Sequence, residues 1–283
     1  MTSKLQFRAL FAACVLGASL AGCGSDNDSA SGTQNQEVMV ERPVTALIQA
    51  ADGTALQGAK VTVAGQSAVT DEHGAASFKV SLPQFAKNVV VSFKKDGFIT
   101  QSMVYDAAGL ERVAANLLAV KQTIAVSKIE EAQVIQSAFL GASVSIPAGA
   151  FVLPNGQPAA GAAKVQFTPW DIAGSDLNAM PANGVAVDAQ GNPASLISAG
   201  MITATFTDAA GNQLQLAKGK TADIQMHLPL SSINNQAMAV GTSIPMWYFN
   251  EAKGLWEEQG AGTVVADSSS ATGFAVHAQV SHF

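Results

Sequence analysis

DGTALQGAKVTV (Asp52–Val63), followed by TDEHGAASF (Thr70–Phe78), is the stretch on which the fold reading turns. Apolar residues alternate with polar ones, and Asp-Gly and His-Gly pairs interrupt them where a chain reverses. The same grammar spreads outward. Val44–Gln49, Lys60–Ala64, Ala75–Val80, Asn88–Phe93 and Phe98–Tyr105 each read as a period-two strand, with turns at Asp52-Gly53, His73-Gly74 and Asp96-Gly97. Short strands at this spacing predict a sandwich. Farther on, Asp188–Pro193 and Asp208–Gln213 place Gly-Asn turns between alternating runs, and Asn250–Gly254 turns between Trp247-Tyr248-Phe249 and Trp256. The expected fold class is therefore all-β, with two tandem β-sandwich-like domains. At 283 residues the chain has room for both.

Composition agrees with an exterior protein. Charged residues make up only 13% of the chain and its net charge is −6. Such a mildly acidic, patchless sequence is a poor nucleic-acid binder. The cysteines are Cys14 and Cys23. Loss of residues 1–22 would leave Cys23 alone, which excludes disulfide and thiol chemistry from the mature body. That cleavage removes two of fifteen basic residues, Lys4 and Arg8, and no acidic one, moving the charge from −6 to −8.

Met1–Arg8 carries two positive charges, and the apolar run Ala9–Ala21 is too short for a stable bilayer span, so residues 1–22 read as a signal peptide. Leu20-Ala21-Gly22-Cys23 closes the run and resembles the lipobox of bacterial lipoproteins. That resemblance implies cleavage before Cys23, lipid on its thiol and a third acyl chain on the new amino terminus, together a durable anchor. Gly24, where some relatives have aspartate, implies the outer membrane in a proteobacterial envelope. Residues 23–42, rich in Ser, Asn, Asp and Gly, read as a lipidated disordered tether.

Asp52–Val63 and Thr70–Phe78 resemble the regulatory-like β-sandwich found beside carboxypeptidases, assigned here to residues 43–120. Residues 121–136 lack clear punctuation and read as a connector. From VSIPAGAF (Val144–Phe151) through VQFTPWD, DLNAMP (Asp176–Pro181), SAGMITATF, LAKGKTA, IPMWYFNE and the closing VSHF, the chain resembles a β-rich exterior domain related to the ankyrin and netrin-receptor type, assigned to residues 137–283. Both resemblances imply fold rather than activity.

Candidate chemistry is sparse. His73 sits in a turn and is expected in solvent. His227 shares with Gln225 the strand face opposite Ile224, Met226, Leu228 and Leu230, and is also expected to face solvent. His277 and His282 are five apart on one predicted strand, on opposite faces, so they cannot share a metal. The Asp188 and Asp208 turns offer too few oxygens for calcium and suit ordinary Asx turns. Ser143 and Ser195 have no activating neighbour in sequence, and no nucleophile-elbow, phosphate-loop, zinc-protease or dinucleotide fingerprint appears. Trp170, Trp247, Tyr248 and Trp256 could stack on sugars or fill a core.

Ser281-His282-Phe283 matches the site at which some relatives of the second domain cut their own backbone, between His-Phe and a following serine. That resemblance makes His282 and Phe283 candidate self-cleavage residues, with the attacking hydroxyl on residue 284. A chain that simply ends there is the competing reading. The expectation for the whole is a non-enzymatic, membrane-anchored envelope module for binding, adhesion or structure, with a self-cleaving domain and a glycan-binding module as alternatives. No cofactor, metal or nucleic acid is expected. The partners expected are the membrane, through lipid on Cys23, and a protein or polysaccharide, with the oligomeric state left open.

Overall fold

The computed structural model describes residues 37–233 and 235–283. Cys14, Cys23 and the stretches read as signal peptide and tether, as far as Gln36, lie outside the described residues. The fold is all-β, built from several sandwich-like sheets; the described helical segments are short 3₁₀ turns at Phe139–Gly141, Ser175–Ala179 and Pro181–Gly184.

The first body contains β1 (Met39–Ala50), β2 (Lys60–Val63), β3 (Gln66–Val69), β4 (Ala75–Pro83), β5 (Asn88–Lys94), β6 (Gln101–Asp106) and β7 (Arg112–Leu117). One sheet runs β4-β1-β7 and the other β3-β2-β5-β6. β1 is antiparallel to β4 and parallel to β7. Its alternation places Val44, Ala46 and Ile48 in the core while Thr45 and Leu47 face out. Val61, Val63, Val91, Phe93, Val113 and Leu117 complete that core. Gly74 shows why the turn before β4 demands glycine. Its φ is +74°, and a Cβ there would sit against the Ile48 carbonyl oxygen, far inside contact distance.

Two boundaries shift from the sequence expectation. The tether was expected to reach Arg42, yet β1 starts at Met39, paired with Pro83. An edge of four more residues adds backbone hydrogen bonds to a segment whose composition alone looked unable to fold. β3 was not expected at all. It follows a two-residue turn in which Ala64 and Gly65 both have positive φ, a conformation that alanine does not announce.

The second body begins earlier than expected, because the stretch read as a connector contributes β8 (Gln122–Val126) and β9 (Gln133–Gln136). They are followed by β10 (Ser143–Ile146), β11 (Phe151–Val152), β12 (Ala163–Pro169), β13 (Val185–Val187), β14 (Pro193–Ser195), β15 (Ile202–Asp208), β16 (Gln215–Leu216), β17 (Ala222–His227), β18 (Ser232–Ile233), β19 (Gln236–Ala237), β20 (Ser243–Asn250), β21 (Leu255–Ala266) and β22 (Phe274–Val280). The large sheet runs β14-β13-β21-β22-β17-β10-β9, with β20 also on β21, and a second sheet runs β15-β12-β8. Val144, Val165, Phe167, Phe206, Met226 and Val264 are among the side chains buried between them. β8 joins because Val126 is buried and Ile124 packs on this core, so its alternation outweighs the charges that follow it.

A third apolar cluster joins the two bodies. Ala51 and Leu118 from the first meet Trp170, Ile172, Ala179, Ala186, Met201 and Trp256 from the second. Polar contacts follow the same seam. The buried Gln101 amide donates to the carbonyls of Asn116, at 2.7 Å, and Ala179. Asn178 donates to the Ala51 carbonyl at 3.3 Å, and Trp256 Nε1 to the Pro181 carbonyl at 2.8 Å. The Asp176–Pro181 segment quoted above is thus the stitch between the bodies. Residues 37–283 form one compact unit.

Candidate functional site

An apolar cleft of about 520 Å³ opens between β15 and β20. Every residue from Gly200 to Thr205 lines one wall, and every residue from Thr242 to Phe249 the other. Successive side chains of a strand point to opposite faces, so an unbroken run can line one cleft only where the strand presents its edge. Sheet order agrees: β15 is terminal in its sheet, and β20 pairs with β21 alone. Pro245 in β20 is a residue that sheets accept at edges. The floor is formed by Ile224, Met226, Val276, Val280 and Phe283.

Methionine is concentrated on this surface. Met180, Met201, Met226, Met238 and Met246 all line it, five of the eight in the chain. Unbranched, polarisable side chains conform to varied apolar shapes, which suits a recognition surface. Gly200 leaves room for the Met226 methyl group, which a Cβ at that position would strike. The register shift between Met246 and Trp247 skips Gln259, whose side-chain oxygen accepts from the Ser281 amide at 3.2 Å. This bulge ties the chain after β22 to the mouth of the cleft.

A polar group closes the mouth. His282 stacks on Tyr248 with ring centroids 4.0 Å apart, and its Nδ1 lies 3.0 Å from Ser281 Oγ. Partial burial lowers the His282 pKa, while the Glu257 charge opposes that shift. Glu257 accepts from Lys253 Nζ at 2.6 Å, from Tyr248 and from Asn250 Nδ2 at 3.0 Å. These donors hold its carboxyl at a pKa of about 2. The same hydrogen bond and neighbouring charge raise the Tyr248 pKa. The Phe283 ring lies 5.2 Å from Phe206, which in turn packs at 4.6 Å on Phe151.

The sequence candidates fall into separate places. Cys23 lies outside the described residues. His282 and Phe283 both line the cleft, but the hydroxyl required for self-cleavage belongs to the following residue. His73 is exposed, as its turn position implied. His277 lies 3.9 Å from Asp223, remote in role from His282. His227 departs from the expectation of a solvent-facing ring. Its Nε2 lies 3.2 Å from both Asp267 Oδ2 and Ser269 Oγ, and Gly141 packs so closely that a Cβ would enter the ring. Ser269 donates to Asp267 Oδ1 at 2.6 Å. A catalytic triad needs serine and aspartate on opposite ring nitrogens. Here both contact Nε2, an arrangement that clasps the β21–β22 turn onto β17 rather than activating the hydroxyl.

Trp170 is fully buried, its Nε1 donating to Thr203 Oγ1 at 2.9 Å, and Trp256 is only 8% exposed. Two of the four candidate rings are therefore withdrawn into the seam between the bodies, while the half-buried Trp247 and Tyr248 line the cleft. Asp188 and Asp208 make matching turns. Each Oδ1 accepts two backbone amides and each Oδ2 an asparagine side chain, from Asn192 and Asn212 respectively. Those hydrogen bonds lower both carboxyl pKa values. The cleft itself escaped sequence reasoning. Its one signal, the concentration of methionine after residue 180, has no periodicity to mark it.

No family model matches the chain, and no curated protein is significantly similar to it. Among solved structures it is similar to the shaft pilin spaA from Lactobacillus rhamnosus GG, with 11% identity, 78% of this chain and 99% of the pilin covered, and a TM-score of 0.23. A Bacteroides fragilis protein described as membrane-associated and of unknown function gives 10% identity, 84% and 95% coverage, and a TM-score of 0.24. Likeness at this level carries no argument, and the fold rests on the strand pairing above.

Proposed function

We propose that this chain is a non-enzymatic envelope lipoprotein, anchored in the outer membrane by lipid on Cys23, that binds an extended apolar segment of a partner protein in the β15–β20 cleft. The Leu20-Ala21-Gly22-Cys23 motif supports the anchor. The body combines a carboxypeptidase regulatory-like sandwich with a β-domain of the ankyrin and netrin-receptor type, on the resemblances quoted above. The cleft carries the binding reading, because two free strand edges flank a methionine-lined trough. A strand entering there could pair its backbone with an edge and set alternate side chains among the methionines.

Two measurements test this reading. Intact mass of the membrane-fraction protein should correspond to a chain beginning at Cys23 and carrying acyl groups; a species with unmodified Cys23 would overturn the anchor. For the cleft, a photoreactive amino acid at Ile244 of the lipidated protein should yield a discrete protein adduct in intact cells. The adduct should disappear when Met246→Glu is added, and should not form from Thr54. An equal adduct pattern from both positions, or none from Ile244, would refute the cleft as a docking site.

A further inference from the structure

The described chain begins at one corner of the first body, where β1 pairs with the end of β4. Met39 lies opposite Pro83, and the Gln84 amide donates to the Val38 carbonyl at 2.8 Å. Three large apolar residues are uncovered there: Val38 is 58% exposed, Met39 51% and Phe85 86%. Phe85 occupies the turn after β4, closed by the Ala86 amide on the Pro83 carbonyl at 3.0 Å. Phe85 is the most exposed large apolar side chain among the described residues. A single exposed apolar residue is ordinary; Val38 and Met39 point to opposite faces, yet a strand end that enters an apolar phase end-on immerses both together with the Phe85 turn.

The position of the corner identifies its occupant. Thirteen residues lie between Cys23 and Glu37, and a chain of that length spans at most about 50 Å from one to the other whatever its conformation. If Cys23 carries lipid, the membrane is the apolar phase held within that reach. Charge contributes little, since Lys79 is already paired with Glu41 at 3.3 Å.

We propose that the Val38–Met39–Phe85 corner seats in the headgroup region of the phospholipid bilayer that anchors the chain. This inference rests on the lipid-anchor reading. The seat fixes which end of the first body faces the membrane. The opposite end of β1, with the Asp52–Thr54 turn, then points away by roughly the length of that strand, about 35–40 Å. Because the contact is apolar, it should tolerate salt and need no anionic lipid.

The test uses the lipidated full chain in phosphatidylcholine vesicles. Its acylated Cys23 leaves a single introduced cysteine as the free thiol. A fluorophore on Gln84→Cys should be quenched by headgroup spin-labelled lipid at least several-fold more than one on Thr54→Cys, equally at low and high salt. Adding Phe85→Ser and Met39→Ser should reduce that quenching to the Thr54 level. Equal quenching at the two sites, or no response to the serine pair, would overturn the proposal. A second arm is independent of acylation. The Cys23→Ser mature chain should float weakly with the same vesicles, and Phe85→Ser should lower its partition about tenfold, the scale expected for withdrawing one phenyl ring from an apolar phase. Absent flotation, or flotation indifferent to Phe85→Ser, refutes the seat even where mass measurements uphold the anchor. Conversely, an unmodified Cys23 with Phe85-dependent flotation would refute the anchor alone.

Discussion

Gly74 combines two constraints that usually occur apart. Its backbone is left-handed, and its α-carbon passes directly beneath the Ile48 carbonyl. Alanine would therefore strain the turn and push against β1 at the centre of its sheet. Gly74→Ala should lower the unfolding free energy by about 2–3 kcal/mol, measured by denaturant titration, whereas Gly53→Ala, with open space around its α-carbon, should cost less. The turn itself could be read from His73-Gly74, because a glycine after polar residues is a recognised reversal signal. The collision with Ile48 could not, since it depends on a partner 26 positions away. His227 teaches the same lesson: alternation correctly placed it opposite Met226, but the covering Asp267–Ser269 turn comes from a distant hairpin.

At the level of elements, the β20–β21 hairpin concentrates its electrostatics on one carboxylate. Glu257 binds Lys253, Tyr248 and Asn250, and its folded pKa of about 2 is depressed from the ordinary 4.5. A depressed acid stabilises the fold fully above its unfolded pKa and ceases to do so as pH falls through the folded value. The hairpin should thus loosen between roughly pH 4.5 and 2. Glu257→Gln should remove about 1–2 kcal/mol at neutral pH, the scale of charge-assisted hydrogen bonds, and flatten that acid limb, as thermal melts across the range would show. The hairpin was readable from Asn250–Gly254, whereas the bulge opposite Met246 was not. Strands with clear turn punctuation in the first body were anticipated, although β6 starts at Gln101 rather than Phe98. β3, β8 and β9 were missed because an alanine in a left-handed turn and a charged, turnless stretch carry no such mark.

Across the molecule, the third cluster makes two recognisable bodies act as one. Ala51, Leu118, Trp170 and Trp256 exclude water from the seam, and Gln101 and Asn178 hydrogen-bond across it. Calorimetry of the body should therefore show one unfolding transition. Ala51→Asp, which places an unpaired charge in that seam, should divide it into two. A single broad division was visible in the sequence because each body has its own run of alternation. The coupling was not, since buried tryptophans and exposed ones look the same in a linear chain.

The order in which the seam is assembled has its own consequence. Ala51 and Leu118 belong to the part of the chain that is synthesised first, whereas Trp170 and Trp256 follow by more than fifty and more than a hundred residues after Leu118. A first body that folds on emergence must present a bare apolar flank until its own sequel arrives. During that interval the flank is the adhesive face of the nascent protein, exposed to chaperones and to other copies alike. Packing of Trp170 and Trp256 against it ends that exposure.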